Sequence, residues 1–333
     1  MQAFITGGTG LLGSNLVRRL LKVGWQVKAL VRSPDKAKRV LGDTSATLVE
    51  GDMLNVAGFA AELSGCDVLF HTAAYFREYY GPGDHWKKLE AINIKGTTDL
   101  LEAAEKAGIH KAIYVSSAGV LGASPNGMPG DETTPPDAHV YENLYLKSKV
   151  LAEESVAEFL RTHHMPVVLI LPTWMYGPGD SAPTHSGRII QDYLNGQVPV
   201  VTGGGSMVVD ARDVAQAMIS AVEHGRSGER YIVGGDYYSM ERILGTLEKV
   251  SGARALKPQI PHHHTSLSDA LVGVLVALLR NTKTRVNPAD STTLDYQTSV
   301  RSDKAKAELK ISFLSLEQTL GDEVAWFRGH EPA

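Results

Sequence analysis

The chain has 333 residues, 43% of them hydrophobic, enough to bury a large core in one extended domain or two fused ones. A net charge of −4 with no long basic run argues against a nucleic-acid partner. The single cysteine, Cys66, excludes an intrachain disulfide and fits a reducing compartment.

The first apolar run, Ala3 to Ile5, leads into Thr6-Gly7-Gly8-Thr9-Gly10-Leu11-Leu12-Gly13. From Ser14 onward, apolar residues recur at helical spacing: Leu16, Val17, Leu20, Leu21. Strand, glycine turn and helix is the order that a dinucleotide site requires. Gly7 permits the tight turn, Gly10 lets backbone approach a pyrophosphate, and Gly13 lets the helix pack close to the strand. The first N–H groups of that helix then face the phosphates. The spacing is G-x-x-G-x-x-G rather than G-x-G-x-x-G. No secretory signal pattern precedes the first strand, so a cytoplasmic location is expected.

Gln26–Val31 reads as the second strand. Arg32 follows it, where an NAD-preferring site carries an acid for the ribose 2′-hydroxyl. A guanidinium suits a 2′-phosphate instead, and Lys36 or Lys38 could add charge. The spacing therefore favours NADP over NAD; a solvent-facing basic cluster at a helix start is the bland alternative.

Ala46–Glu50 and Val68–Phe70 read as strands three and four, and Ile92–Ala107 as a helix ended by Gly108. Ala112–Ser116 is strand five, Tyr145–His163 a long helix, and Val167–Leu171 strand six. Short apolar strands alternating with helices predict an α/β fold with a parallel, doubly wound sheet of the Rossmann type. After Pro172 the pattern loosens into a loop near 177–186, a helix over Arg188–Asn195, and short strands at Val198–Val201 and Val208–Val209. Tyr231–Val233 is expected to return to the sheet. The predicted division is a dinucleotide-binding domain over 1–171, with returning segments near 198–233, and a smaller interleaved substrate region over 172–333. The apolar stretch Leu267–Leu279 is broken by Ser268, Asp269 and Gly273 and is too short to span a bilayer. It reads as a buried or pocket-covering helix, with peripheral membrane contact as the lesser alternative.

Two groups of residues carry chemistry. Tyr145 and Lys149 lie four apart on one helix face, and an ammonium near a phenol favours the phenolate. That suits Tyr145 to protonate a carbonyl oxygen or deprotonate an alcohol. Ser116 and Ser117 lie at the carboxyl end of strand five, where ligands of such sheets bind, and either hydroxyl could meet the reacting oxygen.

Glycine turn, strand-five serine and Tyr-x-x-x-Lys together resemble the extended branch of the short-chain dehydrogenase/reductase superfamily. That branch includes NAD-dependent epimerase/dehydratase-like proteins and enzymes of the dihydroflavonol-reductase and 3β-hydroxysteroid-dehydrogenase type. The resemblance implies Ser117, Tyr145 and Lys149 as catalytic residues, Ser117 being preferred because it precedes Ala118…Gly122. It assigns the cofactor to Gly7, Thr9, Gly10, Leu11, Leu12 and Gly13 of the turn and to Arg32. It adds Asp52 and Met53 after strand three and Ala73 and Ala74 after strand four. Pro172, Trp174 and Met175 would cover the nicotinamide, beside which Tyr145 and Lys149 also lie. Asn93, Gly96 and Thr97 resemble the branch's helix motif; Asn93 is expected to be structural, with a minor role in a water-linked proton path. Asp210 to Ala215 resembles its late signature, and a homodimer through the helices holding Asn93 and Tyr145 is implied.

Within the branch, Ser116–Gly119 lacks the threonine and acid pair of dehydratases. Leu171, where arginine is usual, and Gly205-Ser206-Met207, which lacks another, argue against a diphosphate-sugar substrate. Tyr75, Phe76, Tyr79, Tyr80, Trp86 and Trp174 suit an apolar one. The expected activity is NAD(P)-dependent reduction of a ketone or aldehyde, reversible with the alcohol. A sugar epimerase and a dinucleotide-binding redox sensor are the alternatives.

Several polar residues read as bland. His71 is expected in the core, Asp52 capping a turn, Asp213 ordering a loop or capping a helix, and Asp131-Glu132 solvated. His163-His164 would complement a helix dipole. His262–His264 lacks acid or cysteine partners at ligand spacing, so no metal is expected.

Overall fold

The computed structural model describes residues 1–76, 79, 83–123, 128–196, 204–253 and 299–329. Tyr80, the expected strand at Val198–Val201, His262–His264 and the apolar stretch Leu267–Leu279 lie outside the described residues.

The first half alternates as its sequence pattern requires. β1 (Gln2–Thr6), α1 (Leu11–Lys22), β2 (Gln26–Val31), α2 (Pro34–Leu41), β3 (Thr47–Glu50) and β4 (Val68–His71) come first. Then follow α3 (Trp86–Leu89), a π-helical turn (Glu90–Lys95), α4 (Gly96–Lys106), β5 (Lys111–Val115), α5 (Ala138–Glu142), α6 (Leu144–Thr162) and β6 (Val167–Pro172). The second half supplies β7 (Trp174–Tyr176), α7 (His185–Leu194), β8 (Gly205–Asp210), α8 (Ala211–His224) and β9 (Arg230–Val233). It ends with β10 (Tyr237–Ser239), α9 (Met240–Ser251), α10 (Asp303–Glu308) and α11 (Leu316–Gly329).

Seven parallel strands form the main sheet in the order β3-β2-β1-β4-β5-β6-β9. β6 is buried at every position because helices cover both faces of the sheet. On one face, Leu12, Leu16 and Leu20 of α1 share a core with Val214, Ala217 and Met218 of α8. On the other, Leu100 and Leu101 of α4 meet Val150, Val156 and Phe159 of α6. The chain winds outward from β1 in both directions, through β2 and through β4. This is the switch point at whose carboxyl edge a ligand crevice opens. A second sheet, β10-β8-β7, packs with α7, α9 and α11 around Tyr176, Ile190, Ile243 and Leu320. No helix among the described residues is long and apolar enough to cross a membrane.

Three elements differ from the sequence expectation. The helix expected over 92–107 starts six residues earlier, at Trp86, and passes through the π-helical turn. β8 spans six residues rather than two, because the second sheet covers both its edges. α7 begins at His185 rather than Arg188; Thr184 caps it, its hydroxyl accepting from the Gly187 N–H at 3.2 Å. Tyr231–Val233 lies in β9, hydrogen-bonded beside β6.

Candidate active site

The glycine turn is tight for steric reasons. Gly7 has φ +74°, and a Cβ there would sit 2.7 Å from Thr72 Oγ1 and 2.8 Å from Ala73 N. A Cβ on Gly13 would collide with the Gly7 carbonyl, so α1 packs against its own turn only because Gly13 has no side chain. Gly10 is the N-cap of α1, in extended backbone, and no side chain caps that end. The orphan N–H groups of the first turn therefore border open space, a ready site for an anion.

That space is a cavity of about 470 Å³. Gly7, Thr9, Gly10, Leu11, Leu12, Gly13, Arg32, Asp52, Met53, Ala73, Ala74, Ser117, Tyr145, Lys149, Pro172, Trp174 and Met175 all line it. The carboxyl ends of six strands, β1 to β6, the start of β7 and the helix α6 bring them together. At the end of β2, the Ser33 hydroxyl caps α2 by accepting from the Lys36 N–H at 3.3 Å. Arg32 and Lys36 then both reach the cavity, whereas Lys38 does not line it. Asp52 lines the cavity and also caps a turn, accepting from Leu54 N–H at 2.9 Å.

The Asn143 side chain starts α6 by accepting from Leu146 N–H at 3.0 Å, which sets Tyr145 in the first turn and Lys149 one turn on. Lys149 is 2% exposed. Its ammonium donates to the Val115 carbonyl at 2.8 Å and lies 3.4 Å from the Tyr114 hydroxyl. Burial pushes it down to about 8. The Ser117 hydroxyl accepts from Gly119 N–H at 3.2 Å, which occupies a lone pair and leaves its proton to donate. The Tyr145 ring packs 4.7 Å from Phe76 and 6.4 Å from Tyr79.

Asn93 is 2% exposed and does not line the cavity. Its carbonyl oxygen accepts from Tyr75 N–H at 2.7 Å, and its amide donates to Tyr75 O at 3.3 Å and Ser148 Oγ at 3.0 Å. Ser148 in turn donates to the Tyr145 carbonyl at 2.7 Å. Asn93 thus clamps the segment after β4 to the turn carrying Tyr145, a structural position as expected.

The bland residues mostly stay bland. His71 is buried between Thr6 Oγ1 at 2.7 Å and Thr97 Oγ1 at 2.9 Å, and burial pushes it down to about 3. Asp213 orders the approach to α11 by accepting from Leu314 N–H at 2.7 Å, while Asp210 caps α8. One expectation fails. Glu132 is not merely solvated: its carboxylate accepts from Ile232 N–H of β9 at 3.0 Å, on an edge that no further strand among the described residues covers. His163, the C-cap residue of α6, and His164 stand at the helix end, where they also meet Glu105: its carboxylate lies 2.5 Å from His163 Nδ1 and accepts from His164 N–H at 2.7 Å and Met165 N–H at 2.8 Å. Of the expected aromatics, Tyr75, Phe76 and Trp174 line the cavity. Trp86 does not; its ring lies under the Lys147 ammonium at 4.8 Å. His139, His185, Tyr237 and Val300 also line the cavity and were missed in the sequence, since no local spacing links them to it; Gly205-Ser206-Met207, read as substrate-side, line it as well. Among the described residues no His, Cys, Asp or Glu group could hold a metal ion.

A Rossmann sheet with a glycine turn and a Ser-Tyr-Lys group at one cavity defines a dinucleotide-dependent enzyme of the short-chain dehydrogenase type. Residues 3–234 match the NAD dependent epimerase/dehydratase family, and the chain belongs to that family, within the extended short-chain dehydrogenases/reductases. A Synechocystis sp. protein provisionally named dihydroflavonol 4-reductase is 33% identical, over 98% of this chain and 94% of its own. Sterol demethylase protein B of Methylococcus capsulatus is 29% identical, over 98% of both chains. The solved structure of gox2253 is 31% identical with a TM-score of 0.82, over 98% of both chains. The chain is an NAD(P)-dependent oxidoreductase acting on CH–OH or C=O groups.

Proposed function

We propose that this enzyme uses NADPH to reduce an apolar ketone or aldehyde, reversibly, with Ser117, Tyr145 and Lys149 as its catalytic residues. One observation carries the reading: these three side chains, the open N-terminus of α1 and the Arg32–Lys36 pair all border one cavity. The uncapped first turn of α1, beside a glycine whose Cβ would meet Thr72, fits a dinucleotide pyrophosphate.

The bound dinucleotide supplies the hydride. Tyr145 donates the proton to the carbonyl oxygen as negative charge develops there. Ser117, with its lone pair engaged by Gly119, donates a hydrogen bond to the same oxygen and fixes its orientation. Lys149, held on the Val115 carbonyl, stabilises the phenolate that Tyr145 becomes and would hold the nicotinamide ribose. Arg32 and Lys36 would pair with a 2′-phosphate, and no acid follows β2 directly to accept from a free 2′-hydroxyl. Phe76, Trp174, Met207 and Tyr237 make the substrate side apolar.

The test is titration with NADPH and NADH followed by a panel of ketones and aldehydes read by nicotinamide absorbance. Selective NADPH binding with net oxidation on an apolar carbonyl is expected. NADH preference, or tight binding without net oxidation, overturns the reading. Arg32→Ala is expected to weaken NADPH by roughly 10- to 100-fold and leave NADH unchanged, as loss of a charge-assisted bond requires.

A further inference from the structure

Lys149 is a buried cation, and its helix provides a counter-charge. Glu153 lies four residues on, along the same face of α6. Its side chain is 14% exposed, and its carboxylate lies 3.1 Å from Nε of Arg230 on β9. Arg230 is braced from the other side: one terminal nitrogen donates to the Glu132 carbonyl at 2.9 Å. The Ser116 hydroxyl sits beside Glu153. Neither Glu153 nor Arg230 lines the cavity, so neither can touch substrate or cofactor. A buried ion pair of this kind is weak as a source of stability, because desolvation offsets most of the attraction. Its placement, one helical turn behind Lys149, is where it can act.

We propose that Glu153, oriented by Arg230, is a positioning residue for Lys149: its carboxylate keeps the buried ammonium protonated and anchored on the Val115 carbonyl. The proposal rests on the reading of Tyr145 and Lys149 as catalytic. Of the charged groups on the described elements packed against α6, Glu153 acts on Lys149, and Arg230 and Lys149 act on Glu153. Tyr145 on α6, Tyr114 on β5 and His71 on β4 also face this group, and burial keeps the last two uncharged near neutral pH. Burial opposes the charge on Lys149, and the Glu153 carboxylate acts against that burial, favouring the ammonium. Burial pushes the Glu153 carboxyl up, and the Arg230 guanidinium beside it acts in the opposite direction, toward the carboxylate.

The test is NMR titration of the full chain with isotope-labelled lysine, the Lys149 signal being identified by its loss in Lys149→Met. In Glu153→Gln the Lys149 midpoint is expected to fall by about one pH unit, a tenfold change in its proton equilibrium. The alkaline limb of kcat for carbonyl reduction is expected to move down with it. Glu153→Asp, which retains the charge, should restore most of both shifts. If Glu153→Gln alone does not fold, Glu153→Gln with Arg230→Gln removes both charges together and should show the same fall. An unchanged Lys149 midpoint in the folded variant overturns the proposal. Full activity in Lys149→Met overturns the catalytic reading instead, and the NMR midpoint still reports the coupling on its own.

Discussion

Replacing Tyr145 by Phe removes one oxygen and keeps the ring against Phe76 and Tyr79. Turnover of a carbonyl substrate should therefore fall by at least ~100-fold while NADPH affinity stays within about threefold, measured by steady-state kinetics and cofactor titration. The proton on Lys149 adds a pH signature. The unfolded lysine holds its proton to about 10.5, whereas the folded one releases it near 8, so its contribution to stability rises with pH across that window. Reduction, which needs the ammonium, should lose rate as pH rises through about 8. His71 acts at the acid end. It is neutral in the fold down to about 3, but the unfolded histidine takes a proton below 6.5. Stability should thus fall by about 2 kcal/mol between roughly pH 7 and 5, seen in urea unfolding, and His71→Asn should flatten that slope. Tyr145 and Lys149 could be picked out because their spacing is local, whereas Ser117 was preferred over Ser116 only through the family resemblance. Glu153 and Arg230 could not, since their partnership exists only where β9 returns beside β6.

The π-helical turn at Glu90–Lys95 is the element on which the site's alignment depends. It carries Asn93 to both Tyr75 and Ser148, joining the segment after β4 to the first turn of α6. Asn93→Ala would leave the buried Tyr75 N–H without its acceptor, costing about 1–3 kcal/mol. Calorimetry should show a fall in Tm of several degrees, with kcat reduced more than cofactor affinity. The 3.6-residue apolar period read from Ile92 onward hid this turn, because a π turn shifts the phase of the pattern at its start. α1 is the opposite case: its glycines and periodicity define it without help, since each glycine answers a contact within the turn or with the next strand end.

At the scale of the molecule, the C-terminal helices tie the second sheet to the first. A carboxyl oxygen of Glu323 on α11 accepts from Gly177 N–H at 2.7 Å, and Arg212 of α8 meets Asp322 at 2.7 Å. Asn15 of α1 donates to the Pro178 carbonyl at 2.8 Å, closing the same loop from the other side. Glu323 is fully buried, and burial holds its carboxyl protonated well above the ordinary range. The unfolded glutamate ionises near 4.5, so this group's contribution falls as pH rises above that value. Glu323→Gln keeps the shape and should raise stability near neutral pH in thermal unfolding, whereas Glu323→Ala should lower it by about 1–3 kcal/mol. Ending the chain before α10 would remove Leu316, Leu320 and Val324 with α11 and expose the faces of α9 and β7 they cover. Limited proteolysis should then cut within α7 and α9.

The sequence by itself determined the parallel sheet and the turn that opens it, because strand and helix periods and glycine sterics act over a few residues. It also singled out the cavity-lining residues that follow strand ends, since a strand's carboxyl end faces the crevice in any doubly wound sheet. Tertiary structure alone decided which remote residues complete the cavity: His139, His185, Tyr237 and Val300 come from four separate segments. It also decided that Glu132 satisfies the open edge of β9 and that Arg230 stands behind Lys149. Such contacts join residues far apart in the chain, and burial gives them their strength; neither distance nor burial is encoded in local spacing.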